Sequence, residues 1–229
     1  MKIYFVRHGH PNYKNDCLTE LGHRQAEAAA ERLKNVGIES VFSSTKGRAF
    51  ETAEHTAKKL GLEVVPCDFM REISWASVDG EPILSDGHPW YVADILASEG
   101  KTLTSHDWQN VYPYCKSRAV ACVDTVTKGL DSWLAELGYV REGEYYRVTC
   151  ENTDKVVAMF SHGGSSAAAL AHLFNIPFAQ LVGFLRIGFT GITVVDFRGK
   201  TGELIYPKLT SSDMLHVESL ENVENVYGN

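Results

Sequence analysis

Several short apolar segments of this chain, of the kind that form buried strands, end in ionisable residues. The first segment ends at Arg7 and His8, a later one ends at His162, and a segment between them leads to Arg48. Ligand sites in open α/β sheets lie at the carboxyl ends of parallel strands, so we expect these four side chains to meet. Gly163 precedes a predicted helix, whose free N–H groups and positive dipole end attract anions. Together these groups predict a pocket for a dianion such as a phosphoryl group.

Each of these residues has a structural interpretation when it is taken alone. A single histidine at a strand end is most often a packing residue, and a single arginine at a helix start is most often solvated. Several cations buried together without an anion, however, would destabilise the fold by several kcal/mol. The convergence of two arginines and two histidines therefore favours a binding or catalytic site.

One carboxylate, Glu72, follows the third predicted strand and is expected near the same edge of the sheet. The residues alone leave two interpretations open. Glu72 forms a surface ion pair with its neighbour Arg71, or it acts as a general acid that protonates the oxygen of a leaving group. The second role requires a pKa raised by burial or by negative charge that develops nearby.

Short apolar runs alternate with helical patterns along the chain. The predicted strands are Ile3–Val6, Ser40–Phe42, Glu63–Val65, Val156–Phe160, Ile192–Phe197 and Glu203–Tyr206. The predicted helices are Leu21–Val36, Arg48–Leu60, Val120–Leu137 and Ser165–Phe174. This alternation predicts an α/β fold with a mostly parallel sheet. The last two strands, joined by residues 198–202, are expected to form an edge hairpin.

The length of 229 residues fits a single domain, residues 1–229, that carries an insertion. Residues 81–150 break the alternation, contain many aromatic side chains and include one strong helical pattern. We expect this helical and aromatic insertion to lie over the active-site edge of the sheet. The end of the chain, from about residue 211 to residue 229, is acidic and Asn-rich and is predicted to be a loose tail.

The charge and composition exclude several classes of partner. A net charge of −7 offers no electrostatic gain on a phosphate backbone, so nucleic acid is not an expected partner. No apolar run resembles a signal peptide or a membrane span, and polar residues interrupt the uncharged stretch 156–185. The five cysteines form no C-x-x-C pair, which favours reduced thiols and a cytoplasmic location. The oligomeric state stays open.

Five motifs occur in order: Arg7-His8-Gly9; Leu18–Gly22 with Gln25-Ala26; Phe42–Ser44 leading to Arg48-Ala49 and Thr52–Glu54; Arg71–Ile73; and Ser161–Gly164. Taken together they resemble the histidine phosphatase (phosphoglycerate mutase-like) superfamily. The resemblance covers residues 2–80 and 155–215 and does not extend to the insertion. It implies the three-layer α/β sandwich of that family, with a mostly parallel sheet at its centre.

The resemblance also implies a role for each matching residue. His8 is the nucleophile, which accepts the phosphoryl group as phosphohistidine, and Glu72 protonates the leaving group before water releases phosphate. The residues that bind the phosphoryl group are Arg7, His8, Arg48, His162 and Gly163. This assignment agrees with the chemistry of the residues, because a neutral imidazole is nucleophilic and phosphoryl transfer needs mainly positioning and cations. Neither a metal nor another cofactor is implied.

The rim of the expected pocket departs from the family pattern. His10 stands where an acidic residue or glutamine is common, and Lys14 stands where asparagine is common, with Asn12 nearby as a substitute. Trp90 and Tyr91 of the insertion are further rim candidates. These residues would recognise the rest of a small phosphorylated substrate, whose identity the sequence does not give.

Three alternatives to a phosphatase stay open. The first is phosphoryl transfer of the phosphoglycerate mutase type, although the Glu-Arg-His-Tyr-Gly motif associated with cofactor-dependent mutases is absent. The second is a non-catalytic protein that binds a phosphorylated ligand. The third is a serine hydrolase with Ser165 as nucleophile, because Gly163–Ala167 is close to a G-x-S-x-G elbow. The third alternative leaves Arg7, His8 and Arg48 without a role.

Overall fold

A six-stranded sheet forms the centre of the computed structural model, which describes residues 1–80, 92–102 and 107–213. The strands are β1 Lys2–Arg7, β2 Pro11–Asn12, β3 Cys17–Leu18, β4 Ser40–Ser43, β5 Val64–Pro66, β6 Tyr139–Glu142, β7 Tyr145–Val148, β8 Val156–Ser161, β9 Ile192–Asp196, β10 Leu204–Ile205 and β11 Lys208–Asp213. The α-helices are α1 Glu20–Leu33, α2 Gly47–Leu60, α3 Val92–Ser98, α4 Ala119–Glu136, α5 Gly163–Leu173 and α6 Phe178–Phe184.

The central sheet has the strand order β11-β9-β1-β8-β4-β5. Strands β1, β8, β4 and β5 are parallel, and β9 runs antiparallel to both β1 and β11. Strands β1 and β8 pair in register from Lys2 opposite Val156 to Arg7 opposite Ser161. Arg7 and Ser161 therefore end their strands side by side, which brings the residues that follow them to one edge.

Helices cover both faces of this sheet. Along β8, Val157 and Met159 belong to one apolar cluster, and Ala158 and Phe160 belong to the other. The first cluster includes side chains of α4, α5 and α6, and the second includes side chains of α1 and α2. The alternation along the strand thus places a helical layer on each side. The predicted α/β fold with a mostly parallel sheet between helices is confirmed.

The helix ends follow capping rules. Thr19 caps α1, because its hydroxyl oxygen accepts the backbone N–H of Gly22 at 3.1 Å. Helix α2 ends at Gly61, whose φ of +69° lies in the left-handed region that favours glycine. Helices α1 and α2 pack against each other on one face of the sheet. Helix α2 carries Arg48 in its first turn.

The predicted edge hairpin is wrong. Strand β9 pairs with β11, and β10 pairs instead with β7 in a separate sheet of order β10-β7-β6. Segment 203–206 is more apolar than segment 208–213, and its Ile205 packs into the core beside that second sheet. Strand β11 is polar because an edge strand is held by backbone hydrogen bonds and needs little apolar surface. Residues 211–213 of the predicted tail belong to β11, and residues 214–229 lie outside the described residues.

Part of the predicted insertion can be described. Helix α4 contributes Leu130 and Leu134 to the same core cluster as the sheet, and it packs against α5. Residues 81–91 and 103–106 lie outside the described residues. Among the helices that the structure describes, none has the length and apolar character to cross a membrane. The five cysteines lie within the described residues and form no disulfide there.

Candidate active site

His8 lies directly after β1, and its ring is held in one tautomer. Its Nδ1 lies 2.7 Å from the carbonyl oxygen of Gly9. A carbonyl oxygen only accepts, so Nδ1 carries the proton and Nε2 carries the lone pair. That Nε2 accepts a hydrogen bond from Nε of Arg48 at 3.3 Å. The nitrogen available as a nucleophile therefore points at a guanidinium.

Burial keeps this imidazole neutral. His8 is 1% exposed, and desolvation lowers its pKa well below 6.5, with the charges of Arg7 and Arg48 as further causes. The pKa of His162 is also lowered well below its usual value, first by desolvation and then by His8 and Arg48. The lowered pKa values favour the uncharged form of both rings, which a nucleophilic imidazole requires.

Arg7 ends β1 and is buried, with 5% of its surface exposed. Its Nη1 donates to the carbonyl oxygen of Ile187 at 2.6 Å, and its guanidinium carbon lies 4.4 Å from the ring centre of Phe189. The Nε group has no hydrogen-bond partner among the described residues. A buried N–H group left without a partner is costly, so its presence here indicates a place for an acceptor.

His162 lies on the other side of the same pocket, between β8 and α5. Its Nε2 is hydrogen-bonded to the hydroxyl of Ser44 at 2.8 Å, and its Nδ1 is buried without a partner in the described part of the chain. The His162 and His8 ring centres are 5.2 Å apart. Together with Arg7, the pocket thus contains two buried nitrogen atoms that a bound oxyanion could satisfy. Gly163, the first residue of α5, is buried beside them.

Arg48 reaches the pocket from the first turn of α2. It is 7% exposed, and its Nη1 pairs with the carboxylate of Asp16. The ring of Tyr13 lies 5.3 Å from its guanidinium carbon. With Arg7, this gives two buried guanidinium groups around His8. The structure therefore brings together the four basic residues that the sequence predicted at one sheet edge.

Glu72 follows the short 3-10 helix Asp68–Met70 and lies against the start of α5. Its Oε1 accepts the backbone N–H groups of Ile73 at 2.9 Å and Ser165 at 3.1 Å. Desolvation raises its pKa, although both hydrogen bonds and the charges of Arg7 and Arg48 oppose the shift. A raised pKa is what a general acid needs.

The neighbours of Glu72 bear on its two interpretations. Arg71 lies 3.7 Å from Asp68, so the ion pair of Arg71 is made with that residue. A Cβ atom on Gly164 would lie 2.6 Å from Oε1 of Glu72, so the second glycine of the Ser161–Gly164 motif leaves room for the carboxyl group. The general-acid interpretation fits this placement better than the surface pair.

A cavity of about 470 Å³ opens beside Glu72. Lys46, Arg71, Phe69 and Cys122 are among the residues that line it. Glu72 thus stands between the basic pocket and a space large enough for a small organic group. Lys46 and Arg71 give this space two cations, and Asp68 and Glu72 give it two carboxyl groups.

The predicted rim residues have different surroundings. His10 is partly buried, its Nδ1 lies 2.9 Å from the Thr19 hydroxyl, and its ring packs on Phe189. Asn12 accepts the backbone N–H of Asn15 at 3.3 Å and so closes a local turn. Trp90 and Tyr91 lie outside the described residues.

Ser165, the nucleophile of the serine hydrolase alternative, is not placed against an imidazole. Its hydroxyl oxygen accepts the backbone N–H of His162 at 3.3 Å, and the ring of His162 is bonded to Ser44. A serine nucleophile needs a base in hydrogen-bond contact with its hydroxyl. This geometry gives the alternative no support.

Some residues around the pocket were not predicted from the sequence. Phe189 lies under Arg7, against His8 and against His10. The next residue, Thr190, has a φ of +53° and donates its N–H to the carbonyl oxygen of His8 at 3.2 Å. These residues carry no pattern that identifies them, because they belong to the loop between α6 and β9. In the described ranges, no three side chains of metal-ligand type converge on one point.

Comparisons with known proteins identify the family of the chain. The sequence model of the histidine phosphatase superfamily (branch 1) matches residues 3–133, which are more than half of the chain. A probable phosphoglycerate mutase GpmB from Yersinia pestis (strain Pestoides F) is 34% identical over 112 residues, which cover 44% of this chain and 52% of the relative. The chain therefore matches about half the length of such curated relatives.

Solved structures extend the likeness to almost the whole chain. A phosphoserine phosphatase variant from Entamoeba histolytica, solved with phosphoserine, has a TM-score of 0.61 at 21% identity and covers 94% of this chain and 98% of its own. A mycobacterial glucosyl-3-phosphoglycerate phosphatase solved with VO3 has a TM-score of 0.61 at 22% identity, with coverages of 92% and 97%. At such identities the likeness establishes the fold.

Proposed function

The chain belongs to branch 1 of the histidine phosphatase superfamily, and we propose that it hydrolyses phosphate monoesters through a phosphohistidine on His8. The observation that carries this proposal is the fixed tautomer of His8. Its protonated Nδ1 is bound to Gly9, and its free Nε2 faces Arg48 inside a buried cluster of cations. An imidazole prepared in this way attacks phosphorus without first losing a proton.

In the first step, Arg7, Arg48 and His162 donate hydrogen bonds to the phosphoryl oxygens, with Gly163 at the start of α5. Nε2 of His8 forms a bond to phosphorus as the bond to the ester oxygen breaks. Glu72 transfers its proton to that oxygen, so the substrate leaves as an alcohol. The buried guanidinium groups stabilise the charge on the phosphoryl oxygens throughout the transfer.

In the second step, water attacks the phosphohistidine. The Glu72 carboxylate, formed in the first step, takes a proton from this water, and the bond between phosphorus and Nε2 breaks. Inorganic phosphate leaves, His8 is again neutral and Glu72 is again protonated. The atoms balance without a metal or another cofactor.

The cavity beside Glu72 is the proposed place of the leaving group, since the acid must touch the oxygen that departs. Its volume of about 470 Å³ fits a small molecule. Its two cations, Lys46 and Arg71, suit a leaving group that carries an acidic substituent. The proposed substrate is thus a small phosphorylated metabolite, and a cytoplasmic location agrees with the free thiols.

A mutase of the phosphoglycerate type is the second candidate, because the curated relatives carry that name. A mutase uses the same phosphohistidine but returns the phosphoryl group to a second hydroxyl instead of to water. The two activities differ in the acceptor, so they are separated by following the products.

The test combines a panel of phosphate monoesters with assays of 3-phosphoglycerate, phosphoserine and glucosyl-3-phosphoglycerate. We expect release of inorganic phosphate from some of these esters, undiminished by EDTA, and no conversion of 3-phosphoglycerate to 2-phosphoglycerate. Rapid interconversion that depends on 2,3-bisphosphoglycerate would replace the phosphatase by the mutase. Binding without any turnover across the panel and p-nitrophenyl phosphate would favour the non-catalytic alternative.

A further inference from the structure

The loop between β2 and β3 brings a carboxylate to the start of α2. Oδ2 of Asp16 accepts the backbone N–H of Gly47 at 3.1 Å, and Oδ1 pairs with Nη1 of Arg48. The Nζ of Lys46 lies 3.9 Å from the same carboxylate. Asp16 therefore binds the helix N-terminus and two cations at once, a position that a phosphate would also favour.

The backbone shows how closely this loop is fitted to the helix. Asp16 has a φ of +50°, in the left-handed region. A Cβ atom on Gly47 would lie 2.0 Å from the carbonyl oxygen of Asp16. Glycine at position 47 is thus required for the loop to approach, and the approach is what places the carboxylate on Arg48.

The ion pair determines where the rest of Arg48 lies. With Nη1 held by Asp16, Nε of Arg48 donates to Nε2 of His8 at 3.3 Å. An arginine side chain has several rotatable bonds and would otherwise sample many conformations. The pairing keeps the guanidinium beside the attacking nitrogen, where the phosphoryl oxygens are to be bound.

We propose that Asp16 is a positioning residue, which holds Arg48 in the orientation needed for phosphoryl transfer to His8. This inference rests on the proposed function, and it adds a residue that acts through Arg48 without touching the substrate. Asp16 also competes with phosphate for Arg48 and for the start of α2. Its removal should therefore slow the transfer of the phosphoryl group. The affinity for inorganic phosphate should stay nearly unchanged, because the loss of a fixed Arg48 orientation weakens binding and the loss of the competing Asp16 carboxylate strengthens it.

The test uses the Asp16→Asn variant, because asparagine has the same size, accepts the left-handed conformation and retains an oxygen for the N–H of Gly47. The negative charge is lost, together with the second acceptor oxygen that faces Nη1 of Arg48. Glu31→Gln is the matched control, since Glu31 pairs with Lys59 at 2.8 Å near the other end of α2 and does not line the cavity beside Glu72. If Asp16→Asn does not fold, Asp16→Ser removes the same charge and retains an oxygen.

We expect Asp16→Asn to lower kcat by about 10-fold to 100-fold, the scale of a small misplacement of a catalytic group. Inhibition by inorganic phosphate should change less than about threefold, within ~0.7 kcal/mol. In an Arg48→Ala background, Asp16→Asn should cause little further loss, because its effect passes through Arg48. Glu31→Gln should leave kcat near that of the unmodified protein.

Three results would overturn the inference: an unchanged kcat in Asp16→Asn, a loss that adds fully to that of Arg48→Ala, or a parallel loss of kcat and phosphate affinity. Failure of the proposed function is recognised separately, because the unmodified protein would then release no phosphate from any ester. In that case, the free energy of unfolding of Asp16→Asn, Arg48→Ala and the double variant still tests the pairing of Asp16 with Arg48, and fully additive losses would refute it.

Discussion

The phosphoryl pocket and the cavity beyond Glu72 adjoin each other but are built in different ways. In the pocket, the Arg48 side chain is 9% exposed and bonded on two sides. In the cavity, the Arg71 side chain is 52% exposed, and its partner Asp68 is 74% exposed. The cations of the pocket are thus fixed in position, whereas those of the cavity are solvated.

This difference separates two tasks. Strands β1, β4 and β8 and helices α2 and α5 place the groups that we propose to act on phosphorus, because parallel strands end together. The cavity is lined by segments after β5 and by α4, which follow no common register. In the proposed reaction, the buried pocket would bind the phosphoryl group and the more exposed cavity would receive the leaving group.

The largest expected effect is on the pocket side. Replacing His8 by alanine removes the nucleophile, so turnover of every ester should fall by about 10³-fold or more. His55→Ala is the matched control, because His55 lies on α2 and contacts Glu27 and His23 outside the pocket. Initial rates with p-nitrophenyl phosphate measure both variants. Comparable losses in the two would mean that His8 has no special role.

Glu72 stands at the boundary of the two regions, and its replacement should distinguish substrates. Glu72→Gln should slow esters of simple alcohols by about 10²- to 10⁴-fold. The first-turnover burst of p-nitrophenolate from p-nitrophenyl phosphate should barely change, because p-nitrophenolate leaves without a proton. Later turnovers should slow, because the second step loses its base. Glu54→Gln, an exposed glutamate on α2, serves as the control. Equal losses in the first step on both kinds of ester would assign the acid role to another group.

The pH dependence of the same variants follows from the two shifted pKa values. The pKa of Glu72 is raised, so it holds its proton above the usual range, and turnover of alkyl esters falls as the pH rises through that value. The pKa of His8 is lowered, so His8 stays a nucleophile as the pH falls below 6.5. The alkaline fall in kcat/KM should vanish in Glu72→Gln. Its persistence there would contradict the assignment.

Replacing a single cation should have smaller effects on phosphate inhibition and on KM, and these effects should differ between the pocket and the cavity. Arg48→Ala removes a charge-assisted hydrogen bond worth about 1.5–3 kcal/mol, so inhibition by phosphate should weaken about tenfold or more. Arg71→Ala should leave phosphate inhibition unchanged and raise KM only for esters with acidic leaving groups, by about fivefold at most, because an exposed pair contributes up to ~1 kcal/mol. A strong effect of Arg71→Ala on phosphate inhibition would place the anion in the cavity.

The sequence predicted the pocket better than its surroundings for a physical reason. Arg7, His8 and His162 follow apolar strands, whose shared carboxyl edge can be inferred without coordinates. Asp16 and Phe189 belong to loops, and their contacts depend on backbone turns that no periodic pattern records. The edge hairpin failed for a related reason, since β11 is a polar strand held by backbone bonds.

The phosphohistidine itself gives the most direct test of the account. A rapid-quench reaction with a phosphate ester labelled in its phosphoryl group should trap a phosphoprotein that is stable in base and labile in acid. Peptide mapping under alkaline conditions should place the label on His8, and His8→Ala should give none. Label on Ser165 or another residue, or hydrolysis with no labelled protein at any time, would contradict the central claim.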